Sequence, residues 1–268
     1  MAEADSLSTD SAPLVPEERP RLILEMLRTQ RSVSVTGLEE QFAISSMTAR
    51  RDLTILARSG LARRTHGGAV LPDLAAHEDA FRHRLELETD EKKRMARAVV
   101  ATLEPGETLF VDSSTSAWYV AEAITTASIP LTVLTNSLPV LNLLSDADVP
   151  NLDVVALGGS FRTLTRSFVG PDVVRALQGY RADRLVFAVK GITPGGDLTD
   201  AEPLEAEVKR AMIAYAKTSV LLVTATKFED RGRIVVGSVE DVDVVYVTGA
   251  PASAERLLTA HGVTVERV

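Results

Sequence analysis

Six short runs of almost unbroken apolar residues constrain this chain more than any other feature: 108–111, 131–134, 152–157, 185–189, 220–223 and 242–247. A strand buried on one face alternates apolar with polar residues, so a run that is apolar at nearly every position is a strand buried on both. Helical stretches separate the runs. Met95, Ala96, Ala98, Val99 and Leu103, for example, share one helical face that Pro105-Gly106 then ends. Strands alternating with helices predict an α/β fold, with a mostly parallel sheet covered by helices on both faces. In such sheets ligands bind beyond the carboxyl ends of the strands.

Those ends are polar or glycine-rich. The first strand runs into Asp112, Ser113, Ser114, Thr115 and Ser116, then a helix from about Ala117; the second ends in Thr135-Asn136-Ser137 and the third in Gly158-Gly159-Ser160. Lys190-Gly191 and Thr226-Lys227-Phe228 end two more. Free amides and hydroxyls at a helix start favour an anion such as phosphate. A Ser-Thr run before a helix is equally explained as a cap.

Residues 17–72 have a different grammar. A first helix around 21–27 is followed by a short strand at 32–35. Thr36 is expected to cap a second helix over 37–42, with Ala43-Ile44 turning into a third. In that third helix Ala49, Leu53 and Leu56 fall on one side at about 100° per residue. Thr48 and Arg51 face away from it, with Arg50 at one border, and Ser46 in the first turn joins them as a candidate DNA contact. Ser45 can cap its first turn, and Gly60 is placed to end it. Residues 61–71 then read as two short strands about a glycine-bearing turn that carries Arg63, Arg64 and His66. Helix, strand, helix, turn, helix and hairpin make a winged helix-turn-helix. Its third helix presents hydroxyls and guanidinium forks suited to a DNA major groove, although a solvated amphipathic helix would look alike.

Charge is partitioned accordingly. The 268-residue chain has a formal net charge of -8, yet residues 17–72 hold nine Arg against six acidic residues. A locally basic module on an acidic body is the electrostatic footprint of a DNA reader. Residues 1–16 are polar and read as a disordered tail, and 73–90 as a linker before a domain over 91–268. No apolar stretch is long enough for a membrane-spanning helix, which predicts a cytoplasmic protein. The absence of Cys excludes thiol nucleophiles, disulfides and cysteine metal sites, and the four scattered His offer no metal cluster. No cofactor is expected.

The segment 45–53, followed by Gly60-Leu61, Arg63 and His66-Gly67-Gly68-Ala69, resembles the DNA-binding domain of the DeoR family of bacterial regulators. The likeness continues through the chain. Residues 112–116 are similar to that family's D-S-G-T-T, 135–137 to its T-N-S and 158–159 to its G-G, and 205–213 and Lys227-Phe228 also look like family signatures. The resemblance implies an effector domain similar to phosphoribose isomerases and coenzyme A transferases, sensing a phosphorylated sugar or related metabolite. It would put the phosphate on 113–116, with Asn136, Gly158, Gly159 and Lys227 completing the pocket. Two positions depart from the family pattern: Ala188 stands for a usual Gly, and Thr224 for a usual Asp that would accept from a sugar hydroxyl. With Lys190 adding a cation, these changes point either to a more anionic ligand or to loss of ordinary sugar recognition.

The expectation is therefore a ligand-responsive transcriptional regulator, a repressor of carbohydrate-utilisation genes, acting on double-stranded DNA as a homo-oligomer. Two other readings stand beside it. One is an architectural or partner-binding DNA-binding protein with a vestigial ligand pocket. The other is an isomerase-like enzyme with Asp112 as base and Lys227 as electrophile.

Overall fold

A computed structural model of the chain describes residues 19–30, 32–58, 61–70, 81–147 and 149–268. The chain divides into two compact units between residues 76 and 77.

In the first unit, α1 (Arg19–Gln30) leads to β1 (Ser32–Ser34), α2 (Val35–Phe42), α3 (Ser46–Arg58), β2 (Arg63–Arg64) and β3 (Gly68–Val70). Ile23 and Leu27 of α1, Leu38 of α2, and Ala49, Leu53 and Leu56 of α3 close one small core. The three strands form an antiparallel sheet in the order β1-β3-β2. Gly68 has to be glycine, since a Cβ there would lie 2.0 Å from the carbonyl oxygen of Val33. The second helix is capped two residues earlier than expected: Ser34, not Thr36, accepts the Gly37 amide at 3.0 Å. Ser34 is extended while Val35 is already helical, so only Ser34 has cap geometry. The predicted end of the third helix at Gly60, the tail and residues 71–80 lie outside the described residues.

The second unit opens with α4 (Phe81–Glu86), α5 (Thr89–Val100), β4 (Thr108–Val111), α6 (Thr115–Ala127), β5 (Leu131–Thr135), α7 (Leu138–Asp146) and β6 (Leu152–Ala156). Residues 81–90 are thus part of this body rather than a connection, with Phe81 buried and Tyr119 donating its hydroxyl to the Leu85 carbonyl at 3.0 Å. There follow the hairpin β7 (Ser160–Arg162) and β8 (Ser167–Val169), α8 (Pro171–Leu177), β9 (Ala182–Phe187), β10 (Gly191–Ile192), β11 (Asp197–Asp200) and α9 (Pro203–Tyr215). The chain ends with β12 (Ala216–Thr224), β13 (Ile234–Ser238), β14 (Val244–Thr248), α10 (Ala252–Ala260) and β15 (Thr264–Arg267).

Seven strands make one sheet in the order β15-β14-β12-β9-β4-β5-β6, and every neighbouring pair is parallel. The strand order reverses between β4 and β9. Two apolar layers cover its faces, one around Phe110, Phe187 and Leu221, the other around Val111, Val186 and Leu222. Consecutive residues of a strand contribute to opposite layers, which is why the runs are apolar at nearly every position.

Candidate effector site and DNA-binding face

In the first unit, α3 buries Ala49, Asp52, Leu53 and Leu56 and exposes Ser46, Met47, Arg50 and Arg51. Arg19 donates from Nε to Asp52 Oδ2 at 2.6 Å, fixing the start of α1 to the buried side of α3. Thr48 is half-buried and belongs to the cap, with its amide donating to Ser45 Oγ at 3.2 Å and the two hydroxyls 3.0 Å apart. Met47 is 79% exposed, so an apolar contact sits among the polar ones. Arg63 and His66 are exposed on the hairpin of β2 and β3; Arg64 is half-buried, and its Nη1 has no hydrogen-bond acceptor. Among the described residues none of Arg50, Arg51, Arg63 and Arg64 forms an ion pair. These guanidinium groups are therefore available to an external anion.

The second unit holds a cavity of about 210 Å³ at the carboxyl ends of β4, β9 and β12, where the strand order reverses. This is the place an open parallel sheet offers a ligand. Ser113, Ser114, Thr115 and Ser116 line it, as do Lys190 and Lys227. The first-turn amides of α6 at Thr115 and Ser116 have no intrahelical acceptor, by the geometry of any helix start. Ser114 Oγ caps α6 by accepting from Ala117 N at 3.1 Å and itself donates to Asp112 Oδ1 at 2.5 Å. Ser113 Oγ donates to Glu205 Oε2 at 2.9 Å. Two of the four hydroxyls thus build the loop, and those of Thr115 and Ser116 face the cavity without an internal hydrogen bond among the described residues.

Asp112 lies beneath this loop and is fully buried. It accepts from the Ser114 and Ala188 amides and from the ammonium of Lys209. Lys209 also donates to the Ala188 carbonyl at 2.9 Å and faces Asp200 at 3.6 Å. Burial alone would favour its neutral form, but the surrounding carboxylates, Asp112 foremost, raise its pKa and keep it charged. Glu205, one helical turn earlier on α9, receives hydroxyl donors from Ser113, from Thr165 at 2.6 Å and from Ser167 at 2.5 Å. Burial pushes its carboxyl up, and Lys209 with these three donors more than reverses that, so its pKa is lowered.

Arg84, Glu88 and Lys92 line the cavity from α4, the turn after it and α5, which pack against α6. Lys92 donates to the carbonyls of Arg84 at 2.5 Å and Leu87 at 2.6 Å, fastening the end of α4. Glu88 has φ +50°, a left-handed backbone that a non-glycine residue holds only when its surroundings impose it. Its Oε2 accepts from Thr224 Oγ1 at 2.7 Å and Thr226 Oγ1 at 3.0 Å. A carboxylate from another element thus stands within hydrogen-bonding distance of position 224, where the family resemblance expects one. Lys190 pairs with Asp230 at 2.7 Å. Lys227 has no hydrogen bond or ion pair among the described residues; burial first, then the charges of Arg84 and Lys190, lower its pKa to about 8. Lys92 is lowered to about 8 as well, by burial and then by Lys227.

Asn136, Gly158 and Gly159, expected to complete the pocket, do not line this cavity. They end β5 and β6, on the far side of β4 from β9 and β12. Asn136 donates to the Phe168 carbonyl at 2.9 Å. Gly159 makes room for packing, since a Cβ there would meet Val173 at 2.6 Å. Arg84, Glu88, Lys92 and Thr165 line the cavity without having been singled out in the sequence, and Glu205 and Lys209, which also line it, fall in the 205–213 segment noted there only as a family signature.

The chain matches two family descriptions: the DeoR-like helix-turn-helix domain over residues 19–74 and the DeoR C terminal sensor domain over residues 87–248. It belongs to the DeoR family. Like other DeoR-family members it is a DNA-binding transcriptional regulator. It is 32% identical to the glycerol-3-phosphate regulon repressor of Escherichia coli (strain K12) over 250 residues, 93% of this chain and 98% of that one. It is 30% identical to the transcriptional repressor AccR of Agrobacterium fabrum, covering 85% of this chain and 88% of that one. Among solved structures it is similar to a D-ribose-5-phosphate isomerase in complex with phospho-erythronic acid, with a TM-score of 0.38, 14% identity and coverage of 52% and 54%. The DeoR sensor region, 87–248, contains the cavity except for Arg84. No helix among the described residues is long and apolar enough to cross a membrane.

Proposed function

We propose that this chain represses carbohydrate-utilisation genes and is controlled by a small phosphorylated sugar or polyol bound at the start of α6. The observation that carries the reading is the cavity itself, which sets hydroxyls and first-turn amides of α6 against Lys227 and Arg84. A buried phosphate needs donors and compensating charge, and this wall supplies both. The volume, about 210 Å³, lies below the roughly 300–1,000 Å³ of sites for drug-sized ligands. A triose to hexose phosphate suits it better than a nucleotide. The name of the Escherichia coli relative, a repressor of the glycerol-3-phosphate regulon, lies within that class.

Catalysis is disfavoured by how the carboxylates are used. A general base must reach the proton it abstracts, whereas Asp112 is committed to Ser114, Ala188 and Lys209, and Glu205 to three hydroxyls. A vestigial pocket is disfavoured by the density of charge kept around the cavity. On the DNA side, Arg50, Arg51 and Ser46 of α3 are assigned to the major groove, and Arg63, Arg64 and His66 to phosphates or the minor groove. One such module buries too little for operator affinity, so a homo-oligomer on repeated half-sites is expected.

The test is calorimetry with a panel of sugar and polyol phosphates and their unphosphorylated parents, followed by gel shifts on a selected operator. The binding compound should alter operator affinity, and Lys227→Ala and Thr115→Val should each weaken it while leaving operator binding by the ligand-free protein intact. Equal affinity for the unphosphorylated parent, or no loss in either variant, would remove the phosphate from this loop.

A further inference from the structure

Arg84 is the cavity residue least accounted for by the protein's own interactions. Its backbone is secured, because Lys92 donates to its carbonyl. Its side chain is not. Nε and Nη2, which together form one edge of the guanidinium fork, are shielded from solvent and have no acceptor among the described residues. Leaving a buried donor unpaired is unfavourable, and more so for a charged group. A second cation makes the position less favourable still, since Lys227 senses Arg84 as the strongest charge opposing its protonation. Two neighbouring cations, one with an unpaired bidentate edge, fit no structural purpose visible in this fold. They match the planar, two-point geometry by which arginine holds carboxylates and phosphates.

We propose that Arg84 is an oxyanion-binding residue of this cavity, so that a bound phosphate is held between the start of α6 and the side of α4. This rests on the reading of the cavity as the effector site and adds to it a residue and the element through which the signal would pass. Helix α4 is the first described element of the second unit, with ten residues between it and β3 in the chain. An anion gripping Arg84 immobilises the element nearest in sequence to the DNA-binding unit, whereas one held by α6 and Lys227 alone would not. The effector's phosphate, rather than its sugar ring, then carries the signal.

The decisive experiment compares the full-length wild type with R84Q and R84K by calorimetry, using inorganic phosphate, glycerol 3-phosphate, a set of pentose and hexose phosphates, and glycerol. Removing a charge-assisted bidentate contact should weaken the binding phosphate on the order of 10- to 100-fold in R84Q, with R84K in between because it keeps charge but lacks the fork. Hydrogen exchange should show α4 amides protected by that phosphate in wild type and not in R84Q. Without added phosphate, R84Q should melt at a temperature equal to or above wild type, since it relieves an unpaired donor and a like-charge contact. A lower melting temperature would mark Arg84 as structural support and overturn the proposal. Unchanged affinity in R84Q would overturn it too, while leaving the cavity as effector site. No binding of any phosphate by the wild type would overturn both.

Discussion

The ionisation states of a few residues decide how the proposed effector site should behave. Lys227 and Lys92 lie near pKa 8 instead of 10.5 because each is buried beside other cations. An anion bound between Lys227 and Arg84 favours the charged ammonium, so binding at pH 8 to 8.5 should take up protons and affinity should fall as pH rises above 8. Calorimetry in buffers of different ionisation enthalpy measures that uptake, and a buffer-independent enthalpy would contradict it. The same depression acts on folding: below pH 8 the folded chain carries the full cost of the charged amines. Stability of the ligand-free protein should rise between about pH 8 and 10.5, where the unfolded chain binds more protons than the folded one. Lys209 has the opposite character, its charge held in place by Asp112, Asp200 and Glu205. Lys209→Met leaves those carboxylates buried without a cation and should cost about 3–5 kcal/mol in denaturant unfolding; a loss under 1 kcal/mol would mean the cluster is solvated. Residues 113–116, Lys190 and Lys227 were legible in the sequence because they follow strands whose position the apolar runs fix. Arg84, Glu88 and Lys92 precede the first strand of the sheet, where no rule of strand ends applies. Glu205 and Lys209 have the spacing of an ordinary surface pair, and only the packing of α9 tells that this one is buried.

At the scale of elements, α3 and the hairpin of β2 and β3 are expected to divide the DNA-binding work. Arg51 stands on the exposed side of a helix whose opposite side is locked to α1 through Arg19 and Asp52. Arg51→Ala should cost about 1–3 kcal/mol on a selected operator if the guanidinium forks to a guanine. Unaltered affinity and salt slope in gel-shift titrations of the Arg50→Ala/Arg51→Ala protein would exclude α3 as the reading helix. Arg63→Ala with Arg64→Ala should instead weaken all sequences about equally and flatten the salt dependence, as phosphate contacts do; a change in sequence preference at constant slope would assign base reading to the hairpin. The elements themselves were readable where burial imposes a pattern. All six apolar runs are strands of the large sheet, and helical periodicity located α1, α2 and α3. The small sheet of β10, β11 and β13 was not readable, since strands of two to five residues containing Gly, Asp and Ser carry too little periodicity. Strand β15 escaped because Thr264, Glu266 and Arg267 of this edge strand are exposed, so it lacks the apolar run of the central strands.

At the scale of the whole molecule, the two units close over very different lengths of chain. The first is tied by contacts such as that of Arg19 with Asp52, 33 residues apart. The second depends on distant partners: Ser113 reaches Glu205 across 92 residues, and Asp112 reaches Lys209 across 97. Contacts between distant residues form late, because loop closure must come first. A nascent chain emerging from the ribosome should therefore complete its DNA reader while the sensor is still unbuilt, with Asp112 an uncompensated carboxylate until α9 is made. Protease protection of ribosome-stalled chains gives the measure: lengths that keep α9 in the exit tunnel should protect the first unit alone, and protection of 108–127 at those lengths would refute the order. Every newly made molecule would then pass through a juvenile stage in which it can find DNA before it can hear its effector. The ion pair of Asp112 with Lys209 sets the moment at which that deafness ends.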